Sequence, residues 1–276
     1  MSSNPQSYLQ EKNPHPRDND VSFYDPTHTY TVKYKNKDNE IITTDKFTSV
    51  TTWIHSHFEP FNADNIISKM MKSTKWKHSK YYGMTPTQIK GLWDKNRDEA
   101  ASAGTNMHND IECYYNNVEV NNNSIEYKWF LEFERYRKMK KGYAPKHKPY
   151  RTEMIVYDED LKLVGSIDML FEGKDGTLQI YDWKRCKEIK RNNIWASATT
   201  ECINHIPDSN YWHYTLQLNT YKEILERKYD KKVTDLFIVC LHPNNMNKSF
   251  RLIRIPIIKD EMEKLFEKRK LEIENT

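Results

Sequence analysis

The residues best equipped for chemistry are two carboxylates and an ammonium held close along the chain. They lie in Gly165-Ser166-Ile167-Asp168 and, beyond a turn at Gly173-Lys174-Asp175-Gly176, in Ile180-Tyr181-Asp182-Trp183-Lys184. Both segments read as strands, and strand side chains alternate faces, so Asp182 and Lys184 project to one side and Trp183 to the other. If the hairpin brings Asp168 beside them, two carboxylates and a cation converge. Carboxylate oxygens suit a hard cation such as Mg²⁺ or Mn²⁺, with backbone carbonyls and water completing its shell. Such a cation makes its water a stronger nucleophile and offsets charge developing on a phosphate, while Lys184 orients that water or donates to a phosphate oxygen. An Asp-x-Lys tripeptide alone is common on solvated strands, so its company decides.

Upstream, Gly104, His108 and Glu112 recur every four residues and therefore stack on one helical face. Glycine leaves room for a backbone or phosphate, histidine offers an imidazole ligand, and Glu112 could hold the ring from behind. Glu153 opens the first strand of the sheet, where its carboxylate would face either the metal site or solvent. Downstream, Gln217 and Tyr221 are again four apart on a helix among Leu216, Leu218, Ile224 and Leu225. An ordinary amphipathic helix has the same look.

The elements that must position these groups are legible from periodicity. Thr29–Tyr34 and Glu40–Thr43 read as a hairpin around Asn36-Lys37-Asp38-Asn39, followed by short helices at 50–58 and 63–72. Thr85-Pro86-Thr87-Gln88 carries a capping box with proline at the first helical position, so a helix should run past Trp93 toward Ala101, and 104–115 reads as helix that can continue it. A helix at 124–141 presents Trp129, Phe130, Phe133 and Tyr136. Strands at 152–157, 161–171 and 178–183 form an antiparallel meander; helix 211–229, strands 236–241 and 252–257, and a charged helix 259–273 complete the chain. The expected class is α/β, a mixed central β-sheet flanked by helices. Residues 1–20 read as a flexible tail, 21–84 as an accessory hairpin and helices, and 85–276 as the core.

Composition narrows the choice of function. With 37% apolar residues but 7 Trp, 18 Tyr and 10 Phe, the chain has the large side chains of a folded protein rather than the aromatic-poor make-up of disorder. No run approaches the roughly 20 apolar residues of a membrane span, and the polar start lacks a signal peptide, which points to an intracellular location, cytosolic or nuclear, and to no membrane partner. Cys113, Cys186, Cys202 and Cys240 form no Cys-x-x-Cys pair, so neither a zinc knuckle nor a local iron–sulfur signature is present. Seven glycines leave no phosphate-binding glycine loop, no Gly-x-Ser-x-Gly and no His-Glu-x-x-His. A net charge of +4 is too small to argue nucleic-acid binding by itself, so local clusters must carry it. One is Arg135, Arg137, Lys138, Lys140 and Lys141, which a solvated helix surface explains. The other, Arg185, Lys187, Lys190 and Arg191, leaves the acidic strand directly and includes Trp195, a residue suited to stacking on an unpaired base.

In order, Gly104/His108/Glu112, Glu153, Gly165/Asp168, Asp182/Lys184 and Gln217/Tyr221 resemble the signature of the RecB-like exonuclease branch of the PD-(D/E)XK nuclease superfamily. The resemblance covers Gly104–Tyr221 and implies a restriction-endonuclease-like core. It implies a divalent metal (Mg²⁺ or Mn²⁺) held by His108, Asp168, Asp182 and the Trp183 carbonyl, with Lys184 as the catalytic lysine. Gln217 and Tyr221 would position that lysine or the strand, and Glu153 a water or a second metal. Several members carry a cysteine-ligated iron–sulfur cluster; the cysteines here lack that spacing, and no cluster is expected. The implied activity is hydrolysis of DNA, as an exonuclease on single-stranded ends in recombination, repair or replication. The alternatives are a structure-specific endonuclease or resolvase and a non-catalytic DNA-binding protein on the same fold.

Overall fold

The computed structural model describes residues 7–139 and 147–275. Two sheets and seven α-helices alternate along it. Helix α1 (Ser7–Lys12) leads through a 3₁₀ turn into a three-stranded antiparallel sheet of β1 (Val21–Tyr24), β2 (Thr29–Lys35) and β3 (Ile41–Thr44). The main sheet contains β4 (Thr48–Ser49), β5 (Lys148–Asp158), β6 (Leu163–Glu172), β7 (Leu178–Lys184), β8 (Val233–Cys240) and β9 (Arg251–Ile255). Strands β5, β6 and β7 form the antiparallel meander, β8 runs parallel to β7, and β9 is antiparallel to β8. The fold is thus mixed α/β, with helices on the faces of a mixed sheet.

Helices α2 (Val50–His55), α6 (Asn210–Lys228) and α7 (Lys259–Glu274) cover one face of the sheet, and their apolar residues join Leu163, Ile167 and Ile180 in the larger core. The C-terminal half of α4 (Pro86–Tyr115) and α5 (Ile125–Lys138) cover the other, where Met107, Ile111, Phe130 and Phe133 pack on Trp183. The capping box forms: the Thr85 side chain accepts from Gln88 N–H, and the Gln88 side chain accepts from Thr85 N–H at 2.8 Å. The helix it starts runs unbroken for 30 residues. Helix α3 (Ala63–Lys72) packs on its N-terminal half, where Asp64 pairs with Lys90 at 3.1 Å and Ile67 and Ile89 are buried.

Three features differ from the sequence expectation. From Ser7 onward the tail is packed structure: Leu9 is buried and its N–H donates to Asn116, Arg151 pairs with Asp18 at 2.7 Å, and Arg17 pairs with Glu159 over the Tyr157 ring. A polar, proline-containing segment is held here by charge partners more than 130 residues away, which composition does not reveal. Residues 21–84 are not set apart either, because β4 joins the main sheet beside β6 and Val50, Trp53, Ile54 and Phe58 belong to the larger core. Finally, Arg137 does not share a solvated basic face. It is 6% exposed, and its guanidinium is clasped by Glu134 at 2.6 Å. Lys138 also reaches Glu134, at 3.2 Å. The two remaining lysines of that cluster, Lys140 and Lys141, lie outside the described residues.

Candidate active site

The site begins with a ladder left incomplete. Strands β6 and β7 pair from Glu172↔Leu178 to Met169↔Tyr181 and then part, while β7 stays paired with β8 through Lys184↔Cys240. In a strand, one residue's N–H and C=O point to the same neighbour, and the next residue's point the other way. Lys184 offers its carbonyl to Leu241 beyond β8, so Trp183 turns its backbone groups toward the departing β6. Buried backbone groups must find partners. The Trp183 N–H donates to Asp168 Oδ2 at 2.8 Å, and its carbonyl lies 3.0 Å from His108 Nε2. Two chemically capable side chains thus complete the unfinished sheet.

Strand β6 and its other neighbour, β5, also change phase there. On β6, Leu163 and Ile167 lie in the core beneath α6, yet Met169 and Phe171, of the same parity, lie in the core beneath α4 and α5. On β5, Thr152 accepts from Asn116 at the end of α4, yet Met154 lies in the opposite core. Between Thr152 and Met154 sits Glu153 with φ +42°, a left-handed backbone that costs a non-glycine residue on the order of 1 kcal/mol or more. These breaks place Asp168 and Glu153 side by side in the gap instead of on the alternating faces of regular strands.

His108, Glu153 and Asp168 offer ligand atoms all within 4.8 Å of one another. His108 Nδ1 lies 3.5 Å from Glu153 Oε1 and 3.6 Å from Asp168 Oδ2. A carbonyl can only accept, so Nε2 carries the proton given to Trp183 and Nδ1 faces the carboxylates. Glu153 is fixed from behind by the Ser166 hydroxyl, which donates to its other oxygen at 2.8 Å. The side chains of His108 and Glu153 keep 30% and 26% of their surface, against 11% for Asp168, so the group is open on one side. Burial would push the His108 imidazole down, but the carboxylates of Asp168 and Glu153 outweigh it and raise the ring to about 9. Burial and the neighbouring Asp182 and Glu153 push the Asp168 carboxyl well above the usual range. Both shifts mark a cluster of acids short of positive charge.

Across the gap, Asp182 and Lys184 share one side of β7, and Trp183 fills the opposite core, as alternation requires. Lys184 Nζ lies 2.9 and 2.8 Å from the two Asp182 oxygens and 4.9 Å from the centre of the Tyr214 ring. Burial would discharge this ammonium, but Asp182 and Asp168 hold it firmly cationic. Burial pushes the Tyr214 hydroxyl up to about 12.

The remaining expected residues separate into groups. Tyr221 is buried with its ring against Gly165, and Gln217 reaches its hydroxyl at 3.5 Å. Glu112 is buried one turn beyond His108, whose ring nitrogens face Glu153, Asp168 and the Trp183 carbonyl. Gly104 has open space where a side chain would go, so protein packing does not demand a glycine there. Arg185 is turned away into an ion pair with Glu126 at 2.7 Å, which ties the end of β7 to α5 and removes it from the open cations. Lys187, Lys190 and Arg191 are exposed, with Arg191 over the Tyr211 ring. Trp195 is 89% exposed beside a groove of about 470 Å³ lined by Lys190, Asn193 and Asn210.

Sequence reasoning missed three neighbours. Ser166 sat inside the quoted Gly165–Asp168 segment, and Tyr214 lies three residues before Gln217 on the same face of α6; both were within reach of periodicity. Tyr30 of β2 was not. Burial and the Glu153 carboxylate raise its hydroxyl to about 12, so the small sheet forms part of the acidic site's surroundings. Among the described residues no helix is long and apolar enough to cross a membrane. The chain matches no model of a known protein family and no curated protein sequence.

Proposed function

We propose that this protein is a divalent-metal-dependent deoxyribonuclease with a restriction-endonuclease-like core, acting on single-stranded DNA ends. The observation that carries the reading is the convergence of one imidazole and two carboxylates within 4.8 Å, next to the Asp182–Lys184 pair, where β6 and β7 part. The donor set fits the group it would hold: carboxylate oxygens and one imidazole suit Mg²⁺ or Mn²⁺, and a cation would relieve the burial and like charge that raise the Asp168 carboxyl. His108 through Nδ1, Glu153 and Asp168 would be the ligands. Of the other expected ligands, Asp182 instead pairs with Lys184, and the Trp183 carbonyl holds the His108 Nε2 proton, an orienting contact of the kind that fixes a ligand's tautomer. When bound, the cation would supply Lewis-acid polarisation of a phosphate and a more acidic water.

The chain's own residues supply the rest. Asp182 keeps Lys184 charged and pointed into the gap, and the Tyr214 face steadies it, so the ammonium can neutralise charge growing on a phosphate oxygen. Removing such a donor typically costs about 10²–10³ in turnover. Tyr221 and Gln217 back the β6 strand at Gly165 and hold the register in which Asp168 meets Trp183 N–H. Lys187, Lys190, Arg191 and the exposed Trp195 follow β7 directly and offer charge and a stacking plane to an unpaired strand.

The test is digestion of an end-labelled linear single strand and the same sequence as a closed circle, each with Mg²⁺ or Mn²⁺. Progressive shortening of the linear form alone supports an exonuclease. Cleavage of both moves the assignment to an endonuclease or resolvase. No cleavage of single- or double-stranded DNA with either metal defeats the proposal and leaves a non-catalytic binding protein.

A further inference from the structure

With 43 basic and 39 acidic side chains the two signs nearly balance over the whole chain, but not within every stretch. Between Asp64 and Asp94 lie 29 residues with six lysines and no carboxylate. Lys90 pairs with Asp64 at 3.1 Å. The other five, Lys69, Lys72, Lys75, Lys77 and Lys80, are all exposed, and among the described residues none has a carboxylate within 4.0 Å. Solvated surfaces ordinarily intersperse the two signs, since like charges within a Debye length of about 8–10 Å repel.

The backbone prevents these lysines from spreading apart. Trp76, His78, Ser79, Tyr82 and Met84 each donate a backbone N–H to the carbonyl three residues earlier, so the segment after α3 is a stack of tight turns. It is fastened to α4 by Trp93, whose indole N–H donates to the Tyr81 hydroxyl at 2.9 Å. Aromatic rings are interleaved with the charge: Trp76 is half-buried, Tyr82 is 56% exposed, and the two meet edge to face at 6.0 Å. Trp76, Lys75 and His78 line a groove of about 570 Å³.

We infer that this lysine–aromatic turn stack is a second nucleic-acid contact, gripping the phosphates and stacking the bases of the strand whose end lies in the acidic gap. The inference rests on the proposed nuclease reading for its ligand. Its place follows from α4, to which the stack is fastened at Trp93 and which gives His108 to the gap: the fifteen residues from Trp93 to His108 span about 22 Å at the helical rise. At about 3.4 Å per stacked nucleotide that is six or seven nucleotides from the gap. A polyanion with π-faces at regular intervals matches unpaired cations interleaved with aromatic rings.

The experiment is oligonucleotide binding by fluorescence anisotropy in EDTA, where no cleavage occurs, for wild type, Lys72→Ala/Lys75→Ala/Lys77→Ala and Trp76→Ala. Three lost phosphate contacts should flatten the plot of log Kd against log salt by about 2, which is a hundredfold weaker binding at 0.1 M salt. Trp76→Ala should weaken binding about fivefold or more with the slope unchanged. Lengthening the strand from four to twelve nucleotides should tighten binding to wild type, as one strand comes to span both sites, and that gain should disappear in the lysine variant. Wild-type affinity and slope in the lysine variant would overturn the inference. So would binding of wild type to vesicles of phosphatidylserine and phosphatidylcholine but not to oligonucleotides. Lysine-dependent binding by a protein that never cleaves DNA would defeat the nuclease reading and leave this surface standing.

Discussion

Gly165→Ala puts a single methyl group where the structure has no room for it. The added Cβ would lie 2.9 Å from the Tyr221 hydroxyl oxygen, 3.0 Å from Cε1 and 3.3 Å from Cζ. Ordinary contact needs 3.4 Å or more, so the ring must retreat by about half an ångström. Tyr221 is 4% exposed, and retreat carries it into the closely packed core around Leu218 and Ile224. Overpacking of this kind costs about 1–3 kcal/mol. Because Gly165 does not adopt a left-handed backbone, the whole effect is steric, and a second substitution can relieve it. Tyr221→Phe removes the hydroxyl contact but leaves Cε1, so the double variant should recover part of the loss. Urea unfolding of the four proteins measures the coupling, expected at about 0.5 kcal/mol or more. Loss of stability should be accompanied by loss of nuclease turnover, since the same displacement moves β6 and Asp168. A Gly165→Ala protein within 0.5 kcal/mol of wild type would show that the ring does not rest on this glycine, and the register argument for Asp168 would fall with it.

Three further outcomes follow from other parts of the molecule. Glu134→Gln should cost about 3 kcal/mol in urea unfolding, because it leaves the buried Arg137 guanidinium without its carboxylate; a loss below 1 kcal/mol would mean the pair is effectively solvated. Burial holds the His57 imidazole down to about 4, with Nδ1 2.9 Å from the Thr200 hydroxyl. The unfolded chain therefore binds a proton that the folded chain refuses between pH 6.5 and 4, and stability should fall as pH drops through that window, by at most about 3.4 kcal/mol. His57→Gln should remove that component, so an unchanged pH dependence in the variant would contradict the assignment. His108→Ala should lower turnover and raise the Mn²⁺ concentration for half-maximal rate about tenfold or more, with partial recovery at saturating Mn²⁺; a loss indifferent to metal would make His108 a structural residue.

What the sequence disclosed, and what it withheld, divides by distance along the chain. The α4 cap, the span of α3, the meander and the opposition of Trp183 to Asp182 and Lys184 are local properties, set by capping chemistry and by periods of 3.6 and 2. The gap between β6 and β7 is not local. It arises because β7 keeps β8 as a partner while β6 turns away, and a strict two-residue alternation cannot express the phase change at Asp168 or the left-handed backbone of Glu153. Tyr30, on a separate sheet, feels the Glu153 carboxylate, and Arg185 and Arg137 are consumed by Glu126 and Glu134; a list of basic residues cannot anticipate either pairing.

The central claim is that Lys184 acts on the phosphate without holding the cation. It is tested most directly by measuring Mn²⁺ binding and DNA cleavage on the same Lys184→Ala protein. The account predicts Mn²⁺ affinity within a few-fold of wild type and turnover of linear DNA reduced at least about a hundredfold. Near-normal cleavage by Lys184→Ala would contradict it.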